Sequence, residues 1–123
     1  MTTHENACVL VVEDDDDLRT TIADLLRQER VDVAEAANGI EALAWMHGHA
    51  HPVLILLDVM MPRMDGVEFR KAQLAEPDLA GIPVVLMTAS TVHQPLLEAC
   101  GVDEIVRKPV ELEKLVSVLH RYA

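Results

Sequence analysis

The chain has few cysteines and aromatic residues and little positive charge. Its two cysteines, Cys8 and Cys100, are too few for a disulfide framework or, alone, for a zinc site, and both are predicted to be small buried apolar residues. No apolar stretch approaches the roughly 20 residues that a membrane span needs. The first residues lack the basic and apolar regions of a signal peptide. These absences predict a cytoplasmic protein without a membrane segment.

Positively charged residues are far outnumbered by acidic ones. Ten lysines and arginines stand against 21 aspartates and glutamates, which gives a formal net charge of −11 at pH 7. Such a chain repels both the phosphate backbone of nucleic acid and anionic lipid. The composition therefore argues against direct binding to nucleic acid or to a membrane, and it favours proteins as partners.

Length and apolar content predict one domain. The chain has 123 residues, half of them apolar, and no repeat or linker divides it. We expect a flexible N-terminal tail over residues 1–7 and a single domain over residues 8–123.

Short apolar runs alternate with amphipathic segments along this domain. The predicted strands cover residues 8–12, 31–36, 53–58, 83–88 and 104–107. Several of these runs are apolar throughout, as in parallel strands covered on both faces. The predicted helices cover residues 18–26, 39–46, 67–75, 94–100 and 112–119, and Pro95 should make the fourth start late and stay short. The alternation predicts an α/β fold, a doubly wound parallel sheet with helices on both faces.

Polar side chains follow the predicted strands where ligands gather in such sheets, outside the carboxyl ends. Glu13 and Asp14 follow the first strand, Asp58 ends the third, Thr88 ends the fourth, and Lys108 follows the fifth. Carboxylates from two strands suit Mg²⁺, which would also offset their mutual repulsion. An aspartate beside such a metal can attack a phosphoryl group, with a lysine and a hydroxyl holding the transferred oxygens.

Four stretches carry a resemblance to a known family. They are Val11-Val12-Glu13-Asp14, the run DVMMPRMDG that begins at Asp58, Thr88-Ala89, and Lys108-Pro109. With them the chain resembles the receiver domain of two-component response regulators, from about Cys8 to the last helix. The resemblance implies a flavodoxin-like sheet with strand order 2-1-3-4-5.

The resemblance also implies a role for each site residue. Asp58 would accept a phosphoryl group from a histidine kinase or a histidine phosphotransfer protein. Asp14 would bind Mg²⁺ directly, Glu13 would act mainly through water, and the Met60 backbone carbonyl would be the third protein ligand. Thr88 and Lys108 would each hold a phosphoryl oxygen, and the Lys108-Pro109 peptide bond would be cis. We expect no turnover of a separate substrate, only magnesium-dependent self-phosphorylation and self-dephosphorylation.

The chain departs from the family pattern in its switch. The family couples the hydroxyl at the end of the fourth strand to an aromatic residue on the fifth strand, three positions before the lysine, and Ile105 occupies that position here. A branched aliphatic side chain cannot make the contacts of a tyrosine or phenylalanine. With Val110 where the family often has phenylalanine, and with the fourth helix shortened at Pro95, we predict intact phosphoryl chemistry and an atypical or muted readout to an unknown downstream protein partner.

Several other features have structural explanations. Asp16 or Asp17 is predicted to cap the first helix. For Asp15 two interpretations stay open: it supports the site, or it lies on the surface. Gly66 is predicted to adopt a positive φ in the turn before the third helix. The alternating triplet His47, His49 and His51 is predicted to form a polar loop, and Trp45 to be partly exposed.

Other functions remain open. An Asp-nucleophile, Mg²⁺-dependent phosphatase is one, although it usually needs a second aspartate two residues after the nucleophile, where Met60 stands. A flavin-binding module is another, but the acidic residues after the first strand would repel its phosphate. The chain ends just after the fifth predicted helix, so we expect no output domain. It could act alone, pass phosphate along a relay, or be a receiver excised from a larger hybrid kinase or transcriptional regulator.

Overall fold

The computed structural model describes residues 7–61, 63–89 and 101–122. They form one parallel sheet of five strands in the order β2-β1-β3-β4-β5, which confirms the predicted flavodoxin-like fold. The strands are β1 Cys8–Val12, β2 Asp32–Ala36, β3 Leu54–Asp58, β4 Val84–Thr88 and β5 Glu104–Arg107. All five predicted strands are confirmed, and three of them begin one residue later than predicted.

The helices are α1 Asp16–Arg27, α2 Gly39–Gly48, α3 Gly66–Leu74, α4 Pro77–Ala80 and α5 Leu112–Tyr122. The one-turn helix α4 was not predicted; Pro77 at its first position fixes a helical φ. The helix predicted over residues 94–100 lies outside the described residues. No helix within the described ranges is long and apolar enough to cross a membrane.

Apolar layers cover both faces of the sheet. Leu10 and Val12 point to the layer that contains α2 and α3, while Val9 and Val11 point to the layer that contains α1 and α5. All four side chains are fully buried. This two-sided burial explains why the strands are apolar throughout rather than alternating.

The first described residue, Ala7, is already attached to the sheet. Residues 1–6 of the predicted tail lie outside the described residues. Ala7, the last residue of that predicted tail, is buried, and its carbonyl accepts a hydrogen bond of 2.9 Å from the Asp32 N–H.

Gly66 brings the start of α3 against the end of β3. The predicted positive φ at Gly66 is wrong; it is Arg63, in the preceding loop, that has a φ of 71°. Gly66 is needed for space instead, because a Cβ there would lie 2.8 Å from the Asp58 carbonyl oxygen. Its N–H donates to the Val59 carbonyl at 2.9 Å, and Asp65 caps the helix. This close approach fixes the position of the backbone just after Asp58.

Candidate functional site: an acidic cavity at the carboxyl edge

Three carboxylates meet at the carboxyl edge of the sheet. Glu13 and Asp14 follow β1, Asp58 ends β3, and one oxygen of each lies within 4.8 Å of the others. Glu13 and Asp58 are buried, whereas Asp14 is exposed. They border a cavity of about 420 Å³, here called the acidic cavity. Its lining residues are Glu13, Asp14, Asp15, Leu18, Asp58, Met60, Ala89 and Lys108.

Lys108 joins two of these carboxylates. Its Nζ lies 2.8 Å from Glu13 Oε1 and 3.0 Å from Asp58 Oδ1. The backbone holds the lysine in place, because its N–H donates to the Thr88 carbonyl at 2.9 Å. The following peptide bond to Pro109 is cis, as predicted. Burial alone would lower the lysine pKa, but the two carboxylates outweigh it and raise that pKa. Lys108 therefore stays charged.

Asp58 is the carboxyl group most perturbed by this setting. Its pKa is raised from 3.8 to about 7: burial is the main cause, the contact with Lys108 opposes the rise, and repulsion from Glu13 adds to it. Near neutral pH the side chain is thus divided between its protonated and ionised forms. A further cation in the cavity would favour the ionised form, which is the nucleophilic one.

The chemistry of the cavity fits magnesium. The three triad carboxylates and the Lys108 ammonium leave two negative charges uncompensated when all are ionised, and Asp15 at the cavity wall adds a third, so the cavity attracts a divalent cation. All the donors are oxygens, the ligand type that Mg²⁺ binds, and the cavity is open enough to hold the waters that it retains.

The other predicted site residues occupy distinct places. Thr88 is buried at the end of β4, one residue before Ala89 at the cavity wall. Met60 lies at the rim and is 63% exposed. Ile105 does not line the acidic cavity: it packs, partly buried, on the apolar layer of α2 and α3 and borders a separate groove of about 480 Å³ along β5. The cavity thus gathers the predicted ligands, and the predicted switch position lies apart from it.

The acidic run after β1 separates into distinct roles. Asp15, rather than the predicted Asp16 or Asp17, caps α1, because its side chain accepts a hydrogen bond of 3.0 Å from the Leu18 N–H. Asp16 instead pairs with Arg19 at 2.6 Å. Asp16 and Asp17 lie in the first turn, where negative charge favours the helix dipole.

Arg19 is the residue near the cavity that the sequence analysis missed. Its guanidinium donates to the Glu13 carbonyl at 2.8 Å, so it contacts the loop that carries the carboxylates. A sequence signal did exist, since a basic residue three positions after Asp16 on a helix is placed to pair with it. The contact to a backbone carbonyl six residues earlier depends on the fold and leaves no sequence pattern.

The histidine triplet has structural contacts. His47 Nε2 lies 2.9 Å from Glu76 Oε1, and His49 stacks on Trp45 with ring centroids 4.6 Å apart. Both histidines and His51 are exposed, and Trp45 is partly exposed as predicted. Within the described ranges, the acidic triad alone forms a group of candidate metal ligands.

Comparisons with known proteins agree with this arrangement. Residues 9–120 match the family described as the response regulator receiver domain. The chain is similar to the DNA-binding response regulator MtrA of Mycolicibacterium smegmatis, with 35% identity over 111 residues that cover 89% of this chain and 47% of that protein. It thus spans about half the length of the MtrA relatives it matches.

Two further relatives are nearer in length. The polar-differentiation response regulator DivK of Brucella ovis is 27% identical over 116 residues, which cover 93% of this chain and 94% of that protein. The structure of the chemotaxis response regulator CheY4 of Vibrio cholerae has a TM-score of 0.85 and 32% identity, covering 96% of this chain and 99% of that one. Fold and sequence therefore point to the same family.

Proposed function

Because this chain belongs to the response regulator receiver domain family of two-component signalling, we propose that Asp58 accepts a phosphoryl group from a histidine kinase or a histidine phosphotransfer protein. The observation that carries the proposal is the environment of Asp58. It is buried at the end of β3, contacts Lys108 at 3.0 Å, and lies within 4.8 Å of two other carboxylates in an open cavity.

In the proposed step, an Asp58 carboxylate oxygen attacks phosphorus while the bond from phosphorus to the donor's imidazole nitrogen breaks. The imidazole leaves with the electron pair of that bond and takes up a proton. Mg²⁺ bound by Asp14 and Asp58, by Glu13 through water and by the Met60 carbonyl would keep Asp58 ionised and neutralise the phosphoryl oxygens. The three carboxylates are those of the acidic triad, whereas the Met60 carbonyl and the water-mediated role of Glu13 are taken from the family resemblance.

Lys108 and Thr88 would hold the transferred group. Lys108 already contacts Asp58, so a small movement of its ammonium would reach a phosphoryl oxygen bonded to that carboxylate. Thr88 ends β4 beside the strand that ends in Asp58, and its hydroxyl would donate to a second oxygen. Both groups stabilise charge and neither is a proton donor for a leaving group.

Met60 argues against the phosphatase alternative. An exposed thioether stands two residues after Asp58, where that chemistry needs a general acid. We therefore propose self-phosphorylation and self-dephosphorylation without turnover of a separate substrate.

Ile105 is the basis for a proposed atypical readout. Its aliphatic side chain packs on the α2 and α3 layer and carries neither a ring nor a hydroxyl. Phosphorylation of Asp58 would then change the cavity more than the face formed by β5 and α5. The downstream protein that reads this change, and any domain that accompanies the receiver, would be adapted to a small signal.

The test is incubation with acetyl phosphate and Mg²⁺, followed by intact mass measurement of the wild type and Asp58→Asn. We expect the wild type to gain the mass of one phosphoryl group and the variant to gain none. Equal modification of both proteins would reject Asp58 as the acceptor. Continuous hydrolysis of an aryl phosphate by the wild type would favour the phosphatase instead.

A further inference from the structure

Arg19 contacts the loop of the acidic cavity from outside the cavity. It lies on α1, and its side chain is only 16% exposed. The guanidinium makes three contacts in different directions: Nη1 to the Glu13 carbonyl at 2.8 Å, Nη2 to Asp16 Oδ1 at 2.6 Å, and Nε to Glu35 Oε1 at 3.4 Å. A planar guanidinium can hold three acceptors at once in this way, and a lysine ammonium on a flexible stem cannot hold the same geometry.

Of the three acceptors, the Glu13 carbonyl matters most for the direction of the backbone at Asp14. The Glu13 carbonyl belongs to the peptide unit that joins Glu13 to Asp14, and that unit is planar. A hydrogen bond that fixes the carbonyl therefore also fixes the direction in which the chain enters Asp14. Two further bonds hold the neighbouring backbone: the Glu13 N–H donates to the Ala36 carbonyl at 3.0 Å, and the Asp15 N–H donates to Glu13 Oε2 at 3.2 Å.

We propose that Arg19 is a positioning residue for the magnesium site: it holds the Glu13-Asp14 peptide so that the Asp14 carboxylate faces Glu13 and Asp58. This inference rests on the proposed function. Asp14 is the exposed member of the triad, so its direction depends more on its backbone than on side-chain packing. Glu35 on β2 anchors the guanidinium from the far side, which connects the loop to the sheet.

Charge and positioning predict opposite effects on metal affinity. A positive charge near the cavity disfavours a divalent cation, so loss of the Arg19 charge alone would strengthen Mg²⁺ binding. Loss of a positioning contact would weaken Mg²⁺ binding, because residues that hold metal ligands in position typically contribute roughly 10-fold to 100-fold in metal affinity. The sign of the change therefore distinguishes the two roles.

Arg27 provides a matched control. It lies on the same helix, contacts the other oxygen of Glu35 at 3.2 Å, and also donates to a backbone carbonyl, that of Val33 at 3.3 Å. It does not line the acidic cavity. Arg27→Gln and Arg19→Gln remove the same charge from the same helix, but only Arg19→Gln removes a contact to the loop that carries Glu13 and Asp14.

The experiment is a Mg²⁺ titration of the wild type, Arg19→Gln, Arg19→Lys and Arg27→Gln, followed by calorimetry and by the amide shifts of Asp14 and Asp15. We expect a Kd about tenfold weaker for Arg19→Gln, an intermediate loss for Arg19→Lys, and no weakening for Arg27→Gln. If Arg19→Gln does not fold, Arg19→Lys keeps the charge and tests the geometry alone.

The positioning role would be overturned if Arg19→Gln bound Mg²⁺ as tightly as Arg27→Gln does. If Arg19→Gln is unfolded, the same conclusion would follow from wild-type Mg²⁺ affinity in Arg19→Lys. Either result would leave the proposed function standing. Failure of the wild type itself to bind Mg²⁺ would overturn the proposed magnesium site.

Discussion

The two ends of strand β5 carry ion pairs of opposite character. At its amino end, Glu104 pairs with Arg121 and Lys114 of α5, whose side chains are 45% and 49% exposed. Just past its carboxyl end, Lys108 pairs with Glu13 and Asp58, whose side chains are 1% and 5% exposed. Exposed pairs contribute little to stability, whereas removing one partner of a buried pair leaves an uncompensated charge. Similar contacts therefore lie at the protein surface at one end and border the acidic cavity at the other.

Under the proposed function, a signal from Asp58 would pass along the strand between these two ends. Ile105 lies one residue after Glu104 and three before Lys108, and its side chain packs on the apolar layer of α2 and α3. An apolar contact of this kind is non-directional, so we expect it to respond little to the state of a distant carboxylate. We therefore expect substitutions to have large effects at the Lys108 end of β5 and small effects at the Glu104 end.

The largest effect is expected from Lys108→Met. In the absence of divalent cations, it should lower the free energy of unfolding by about 2 kcal/mol, less than for a fully buried pair because the cavity is open to solvent. Added Mg²⁺ should restore the loss, since it replaces the missing positive charge. Urea unfolding with EDTA and with Mg²⁺ measures both effects. The contrast between the two ends of β5 would fail if Arg121→Met were equally destabilising.

A smaller effect concerns pH at Asp58. Its pKa is raised from 3.8 to about 7, so between these values the folded state binds more protons than the unfolded chain. The Asp58 contribution to stability therefore falls as the pH rises through this window. In EDTA, Asp58→Asn should remove that fall and be more stable than the wild type at mildly alkaline pH. Parallel stability profiles of the two proteins would contradict this expectation.

Ile105 lies in the middle of the strand, between the two ion-paired ends. Ile105→Tyr should enlarge the amide shifts along β5 and α5 that follow phosphorylation, because a ring and a hydroxyl add directional contacts. Ile105→Leu is the control and should leave these shifts small. NMR spectra with and without Mg²⁺ and beryllofluoride measure the difference. We would abandon the role of Ile105 if the tyrosine variant behaved like the leucine variant.

The smallest effect is expected from Arg121→Gln at the exposed end. The Arg121 guanidinium lowers the pKa of the Glu104 carboxyl from its ordinary value of 4.5. A lowered carboxyl pKa contributes stability above the ordinary value, and this contribution is lost as the pH falls through the lowered one. The Tm of the variant should be close to that of the wild type near neutral pH, with any difference disappearing in acid. A large neutral-pH loss would show that this exposed pair matters more than expected.

Much of the fold and of the cavity could be predicted from the sequence. The buried strands are continuous apolar runs, and a parallel sheet brings their carboxyl ends to one edge. Glu13, Asp58, Thr88 and Lys108 could therefore be placed near one another from their positions alone.

The details that the sequence did not give depend on distances across the fold. Five consecutive acidic residues offer several equivalent caps, and only the direction in which β1 leads into α1 selects Asp15. Gly66 looks like a residue chosen for its φ, but the structure needs it because α3 begins against the Asp58 carbonyl. Arg19 was missed because its main acceptor is a backbone carbonyl, which every residue possesses.

The central claim is that phosphorylation acts in the acidic cavity and is read weakly across β5. The most direct measurement compares amide spectra of the wild type and Asp58→Asn, each with Mg²⁺ and beryllofluoride as a phosphoryl mimic. We predict wild-type shifts at Glu13, Asp14, Asp58, Ala89 and Lys108, small shifts from Ile105 through α5, and none of these beryllofluoride-dependent shifts in Asp58→Asn. Identical responses in both proteins, or wild-type shifts as large along α5 as in the cavity, would contradict the claim.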